Sequence, residues 1–431
     1  MTASDRFDRV FADVLTDLAQ PSYPDYIDDA LTRAMRGSQR PEWSFPERWL
    51  PMSAIARSVP LARGTPWRNL GLLAVLALLV AAFIAIAIGS AVRPAPPYGP
   101  AANGLIAYQL DGDIYARDGL TATPRLLVGG KDTDVAPLFS LDGLKLAFVR
   151  LDPATLGTAT ERASLLVAGV DGSSPRVLLG PALIDSFSWS PSGTELAVIA
   201  QVKGSQQLSI VPIDGSAPRV LELNLGLEGP VDWRAPDGRE LIVTGTVDGR
   251  RFYAVRADGT GVRQITPSGV AVPPIGTRSM RPDGRQLIYM SMELPFSIRI
   301  LDLDTGLDRR FGERLPGLSG GLSHAGNQYL SADGTKLVFG RYWDEQEGTI
   351  NHQMWVASLD GDGSDAKPIG EVFRLPSGND PFVIALAPDG STVLVHRADT
   401  DESWTTDFSG AGLQPASFGN VFELNWQRKA P

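Results

Sequence analysis

Phe139-Ser140-Leu141-Asp142-Gly143-Leu144-Lys145-Leu146-Ala147-Phe148-Val149 is the stretch whose reading decides the fold. An apolar strand runs into an Asp-Gly turn, and a second strand leaves it with large apolar side chains, the pattern of a hairpin with a buried face. Five further copies follow. Trp189-Ser190-Pro191-Ser192-Gly193 precedes Leu196 and Val198, and residues 233–238 precede Leu241 and Val243. Residues 280–284 precede Leu287 and Tyr289, 330–334 precede Leu337 and Phe339, and 386–390 precede Val393 and Val395. The turn glycines stand at 143, 193, 238, 284, 334 and 390, a spacing of 45 to 56 residues. A period in that range marks a propeller array with one four-stranded blade per repeat.

The copies share a second half. Leu165-Leu166-Val167 leads to Asp171-Gly172, Leu208 to Asp214-Gly215, Phe252-Tyr253-Ala254-Val255 to Asp258-Gly259, Ile298 to Gly306, and Met354-Trp355-Val356 to Asp360-Gly361. A short strand such as Pro175-Arg176-Val177-Leu178-Leu179 or Pro218-Arg219-Val220-Leu221 completes the unit. At the ends, residues 104–128 supply three strands of a unit that lacks its first, and Val421-Phe422-Glu423-Leu424-Asn425-Trp426 is a first strand with nothing after it. Pairing the two makes a blade from both termini and leaves no sheet edge open. The expected architecture is therefore mostly β, a seven-bladed propeller, with six or eight blades as the alternatives.

This repeat resembles the TolB-type, WD-repeat-like β-propeller repeat over roughly residues 104–428: an aromatic or apolar strand, Ser-Pro-Asp-Gly or a close variant, and a strand like Lys145-Leu146-Ala147-Phe148. The resemblance implies the fold and little about function, because propellers host unrelated chemistries.

The 45 glycines and 33 prolines among 431 residues suit a turn-rich β protein. The chain has no cysteine, which excludes a disulfide scaffold, a cysteine nucleophile and thiolate metal sites. Residues 1–68 read as a separate, mostly helical cytoplasmic region. Phe7, Val10, Phe11, Val14, Leu15 and Leu18 recur at helical spacing, as do Tyr26, Ile27, Ala30, Leu31, Ala34 and Met35. Residues 69–92 read as a transmembrane helix. The uncharged run 70–92 is 23 residues long, roughly 34 Å at 1.5 Å per residue, against about 30 Å of hydrocarbon. Arg40, Arg48, Arg57, Arg63 and Arg68 precede it, and after it Arg93 stands alone until Arg117. The positive-inside rule then puts the N-terminus in the cytoplasm and the propeller, residues 104–431, outside the plasma membrane. Residues 93–103 form a Pro-rich linker, read as a stiff spacer.

Residues 1–68 hold nine of the chain's 39 basic and nine of its 49 acidic residues, so the remainder carries 30 against 40 and the whole net charge of −10. An acidic exterior domain argues against nucleic acid as a partner. The expected partners are the lipid bilayer through 69–92, a protein, glycan or small ligand on the propeller, and a cytoplasmic regulator on 1–68.

No catalytic constellation stands out, and no metal or cofactor is expected. Gly317-Leu318-Ser319-Gly320-Gly321 fits Gly-x-Ser-x-Gly but lacks the strand and helix of a nucleophile elbow. The three histidines, His324, His352 and His396, fall at different places in their repeats, so the repeat symmetry does not bring them together. Asp360-Gly361-Asp362-Gly363-Ser364-Asp365 has Glu371 at the twelfth position of a calcium loop but Asp365 where glycine is required, and reads as a hairpin turn.

Loop length carries the functional expectation. The first-to-second and third-to-fourth turns lie on one face of the disc and are short; the long segments 151–162, 267–277, 312–328 and 340–353 map to the other. Variable loops on a rigid scaffold are where binding sits. The candidate binding residues are Tyr342, Trp343, Asp344, Glu345 and Glu347 on that long-loop face. The leading expectation is a single-pass, external, non-catalytic binding or sensor propeller. A membrane-bound regulator similar in layout to anti-sigma factors, without their zinc motif, and a propeller hydrolase or lyase are the alternatives.

Overall fold

The structure is a computed structural model that describes residues 95–430 apart from short stretches at 159–160, 203, 274–277, 293–296, 317–322, 347–348, 377–381, 398–399, 401, 410, 417 and 419–421; of the earlier chain it describes Leu76. The chain divides into two units, Met1–Ala91 and Val92–Pro431. The expected cytoplasmic helices and nearly all of the expected membrane span lie outside the described residues, among which no helix is long and apolar enough to cross a membrane.

The second unit is built from 27 strands among the described residues, in six antiparallel sheets arranged as a propeller. The closing sheet joins the termini: β1 (Ala102–Leu110), β2 (Asp113–Asp118) and β3 (Arg125–Val128) are preceded in the sheet by the last strand of the chain, β27 (Phe422–Lys429). The next sheet has seven strands: β4 (Asp134–Phe139), β5 (Lys145–Leu151), β6 (Ala163–Gly169), β7 (Arg176–Trp189), β8 (Glu195–Val202), β9 (Ser205–Pro212) and β10 (Arg219–Leu221). Four sheets of four strands follow. They are β11 (Leu227–Trp233), β12 (Glu240–Gly245), β13 (Arg251–Arg256) and β14 (Arg263–Gln264); β15 (Arg278–Met280), β16 (Gln286–Ser291), β17 (Ser297–Asp302) and β18 (Asp308–Arg310); β19 (Ser323–Leu330), β20 (Lys336–Gln346), β21 (Thr349–Ser358) and β22 (Lys367–Pro376); and β23 (Phe382–Leu386), β24 (Val393–Arg397), β25 (Glu402–Thr406) and β26 (Gln414–Ala416).

Both faces of each sheet are packed, which is why a strand such as Leu146-Ala147-Phe148-Val149 is apolar without interruption. Leu146 and Phe148 join Ala107, Ile114 and Ala116 of the closing sheet, while Ala147 and Val149 pack the other way against Trp189, Leu196 and Val198. Each such fully buried Leu or Phe contributes on the order of 2 kcal/mol by leaving water. The layer that holds Trp189 and Val149 lies inside the seven-stranded sheet, between its two halves. The strand β7 explains this. Its first part, Arg176 to Ala182, pairs with β6 and its second, Leu183 to Trp189, with β8, so one strand serves as outer edge of one half and inner edge of the next.

The seam is well stitched. In the closing sheet Ile106 pairs with Trp426 and Gln109 with Phe422, as the reading of the two termini expects. Gln427 lies at the seam, accepting from the Leu105 amide (2.9 Å) and donating to the Gly143 carbonyl (2.7 Å). Asn425 accepts from the Phe139 amide at 2.8 Å. Around the ring the indoles of Trp189 and Trp233 donate to Leu138 and Ser188 carbonyls of the preceding inner strand at 3.0 and 3.1 Å.

On the turn face, five of the six turns after an inner strand lie close against a neighbouring blade, at Gly143, Gly193, Gly238, Gly284 and Gly334; Gly390 stands clear. A Cβ on Gly143 would sit 1.8 Å from the Arg428 carbonyl oxygen, and one on Gly284 1.7 Å from that of Ala235. At Gly143 and Gly284 the glycine is thus required by the neighbouring blade's backbone as well as by its own φ, +75° and +71°.

The linker departs from its expected role as a spacer. Residues 95–101 are docked on this turn face: the Ala95 amide donates to the Asp142 carbonyl and the Ala101 amide to that of Pro388, both at 2.9 Å. Arg428 donates to the Pro96 carbonyl through Nε (3.2 Å) and Nη2 (2.9 Å). Tyr98 reaches the Trp233 carbonyl at 3.5 Å and closes a cavity of about 260 Å³ with Trp189, Trp233, Asp232 and Arg278. Burial, and then the charge of Asp232, pushes the Tyr98 hydroxyl well above its ordinary pKa. Proline stiffness made the segment look like a strut; its partners are 47 to 332 residues away in sequence and leave no local signature.

Candidate binding face

Five inner strands carry register shifts, β11 between Glu228 and Asp232 and β19 between Gly326 and Tyr329 among them, and the other three border one cavity near the long-loop face. The β4–β5 register shifts between Val135 and Leu138, β7–β8 between Ile184 and Ser186, and β1–β27 between Ala107 and Gln109. A bulge puts two residues opposite one and re-aims a side chain. Ala136 and Glu423 take φ of +53° and +55° there, and the Glu423 carboxylate accepts a hydrogen bond from the Ala136 amide.

These strands surround a cavity of about 500 Å³. Its walls include Val149, Leu151, Leu183 and Phe187, and its rim carries Glu161, Asp185 and Glu423. Solvent reaches Asp185 and Glu423, yet protein walls both, and loss of water pushes each carboxyl above the usual carboxylate range. Hydrogen bonds from Gln206 to Asp185 and from the Ala136 amide to Glu423 oppose that rise without cancelling it. The sequence reading missed this site. Positions 136, 185 and 423 come from three separate repeats, and a bulge has no sequence mark as clear as an Asp-Gly turn.

The segment 340–353, expected as a loop, is instead the upper part of a hairpin. The strands β20 and β21 run 11 and 10 residues, against 6 in β16 and β17 of the preceding sheet. Five more residues at about 3.3 Å extend the arm roughly 17 Å further. Tyr342, Trp343, Asp344 and Glu345 are consecutive residues of β20, while Glu347 lies outside the described residues. Tyr342 packs its ring on the cross-strand His352 at 4.6 Å between centroids, and the adjacent Trp343 is 9% exposed. Neighbouring positions on a strand alternate in direction, so Tyr342 and Trp343 do not share one face.

The histidines need a correction. His324 pairs with Tyr342 and Tyr342 with His352, which puts two of the three at one level of one sheet. The reading failed because β19 begins at Ser323, inside a segment taken as loop. His396 makes a 2.8 Å contact through Nδ1 with the Ser403 hydroxyl. This has the spacing of a nucleophile and its base, but His396 is 0% and Ser403 6% exposed, so no substrate reaches them. The Gly-x-Ser-x-Gly match lies outside the described residues. In the acidic turn, Asp360 holds Arg281 through both oxygens at 2.7 and 2.8 Å, Asp362 accepts from the Ser364 amide at 3.0 Å, and Asp365 accepts from that of Ser358 at 3.0 Å. Among the described residues no group of three or more acidic or histidine side chains is placed to hold a metal ion.

No family profile and no curated protein matches the sequence. Solved structures of similar architecture include TolB proteins and other propellers. A protein described as TolB from Agrobacterium tumefaciens is 19% identical, with 66% of this chain and 92% of that one covered and a TM-score of 0.42. TolB from Acinetobacter baumannii is 17% identical over 75% and 82%, with a TM-score of 0.43. A protein described as a dipeptidyl aminopeptidase IV from Bacteroides ovatus is 14% identical over 71% of this chain and 50% of its own, with a TM-score of 0.47. At these identities the likeness is one of propeller architecture, and the activities named for those proteins remain theirs.

Proposed function

We propose that the protein is a single-pass membrane protein whose external propeller is a non-catalytic binding or sensor module. The ring has seven blades. The seven-stranded sheet counts as two, because an apolar layer separates its halves and β7 changes partners at Ala182 and Leu183. The N-terminal region lies in the cytoplasm, residues 69–92 span the bilayer, and a protein, glycan or small ligand docks on the long-loop face.

One observation carries the placement of the binding face. The chain enters the ring on the turn face, where residues 95–101 are docked, and the cavity and the extended hairpin are both on the opposite side. The turn face is occupied by nested backbone; the long-loop face has acidic groups and apolar walls that nothing in the described ring covers.

The absence of cysteine makes the topology directly testable. In intact cells, a membrane-impermeant maleimide should label Ser364→Cys, an exposed position in the propeller, and spare Ser4→Cys until the cells are opened. The reverse pattern, or labelling of both at equal rates, refutes the arrangement.

A further inference from the structure

We propose that the 500 Å³ cavity between β27, β4 and β7 is a binding site for an alkylammonium group carried on an apolar body. The inference rests on the long-loop face being the binding face and names the chemistry that face selects. The volume lies in the range of about 300–1,000 Å³ typical of small-ligand sites.

The lining is acidic on one side and apolar on the other. Glu161, Asp185 and Glu423 supply three carboxylates, and none of the described lining residues is Lys, Arg or His. The nearby cation Arg150 is committed to Asp134, which it binds through Nε at 2.8 Å and Nη2 at 2.9 Å, with Asp132 at 3.7 Å. Arg162 lines an adjoining cavity across β7, with Gly180, Pro181 and Gln201. A carboxylate walled by protein with no cation beside it is held above its ordinary range, and an arriving ammonium supplies the missing charge. Each carboxylate already accepts one hydrogen bond: Glu423 from Ala136, Asp185 from Gln206, and Glu161 from the Gly157 amide at 3.0 Å. The remaining lone pairs suit the N–H groups of an ammonium. Val149, Leu151, Leu183 and Phe187 suit the hydrocarbon behind it. Metal chemistry is a poorer match, since no three of the described carboxylates are grouped to hold an ion.

The test is calorimetric titration of the full-length chain in lipid nanodiscs with hexylammonium, hexanol and hexanoate, corrected with empty nanodiscs. Hexylammonium should bind at least about tenfold tighter than hexanol, a difference of about 1.4 kcal/mol, and hexanoate weakest. Glu423→Gln keeps an oxygen for the Ala136 amide and should weaken hexylammonium about tenfold while leaving hexanol unchanged; Asp185→Asn should act in the same direction. Urea midpoints at pH 7 no lower than that of the parent show that both variants are folded. Nα-acetyl-lysine methylamide presents the same ammonium as a peptide side chain, and the tighter of the two amines identifies the natural source. Equal affinity for hexylammonium and hexanol, or variants that bind hexylammonium as the parent does, overturns the proposal. Hydrogen exchange separates it from the broader reading. Protection of residues 183–187 without charge preference refutes the ammonium and keeps the face; protection by none of the compounds refutes the site itself.

Discussion

The two faces of the ring are built by opposite rules. On the turn face, Gly143 and Gly284 lie so close to a neighbouring blade that each has its backbone carbonyl where a methyl would go, and the linker lies across the turns. On the long-loop face, inner strands bulge, β20 and β21 overshoot their neighbours, and carboxylates stand around a cavity. The contrast separates two jobs. Repetition holds the ring together on one side; on the other, where we propose that recognition sits, unequal strand lengths and a cavity break it.

Two glycines sharpen the comparison. Gly143 and Gly157 have nearly the same backbone, φ +75° and +74°, but Gly143 meets Arg428 at 1.8 Å while Gly157 on the long-loop side has nothing within 4 Å. Gly143→Ala should cost about 3 kcal/mol and Gly157→Ala about 1 kcal/mol, both from urea denaturation. Equal losses would mean that the turns do not nest. A smaller effect is expected at the linker. Arg428→Ala removes its bonds to Pro96 and should speed exchange of the Ala95 and Ala101 amides by more than tenfold, about 1.4 kcal/mol of local opening, with exchange in β8 unchanged. Rapid exchange of both amides in the parent protein would restore the free spacer.

The smallest effect lies on the acidic side. The folded-state pKa of Glu423 is raised above its unfolded value, so the folded protein holds this proton more tightly. The resulting stability is present below an unfolded pKa of about 4.3 and is lost as pH rises through the higher folded value. Glu423→Gln should reduce the fall in urea midpoint over that window. Asp185 shifts the same way and should leave part of the slope.

What was legible follows the same division. Asp-Gly turns, the 45-to-56-residue period and the unpaired terminal strands are local patterns, and the pairing of Ile106 with Trp426 follows from them. The continuity of β7 was hidden because Pro175-Arg176-Val177-Leu178-Leu179 reads as a finished outer strand, although the chain continues through Pro181 to Trp189 in extended form. The extended arm around Tyr342 was read as loop because its polar residues carry no strand alternation. The cavity could not be read at all, since Ala136, Asp185 and Glu423 meet only after the ring has closed.

That closure is tested most directly by a double-cysteine variant, Ala102→Cys with Lys429→Cys. The two positions are register partners in the closing sheet, and antiparallel partners lie about 4.5–5.5 Å apart at Cα, inside the disulfide range of about 4.4–6.8 Å. In this cysteine-free background, mild oxidation should join them within one chain, and peptide mapping should recover the 102–429 link. Two thiols that stay reduced and react freely with maleimide in the folded protein would contradict a ring closed by its own ends.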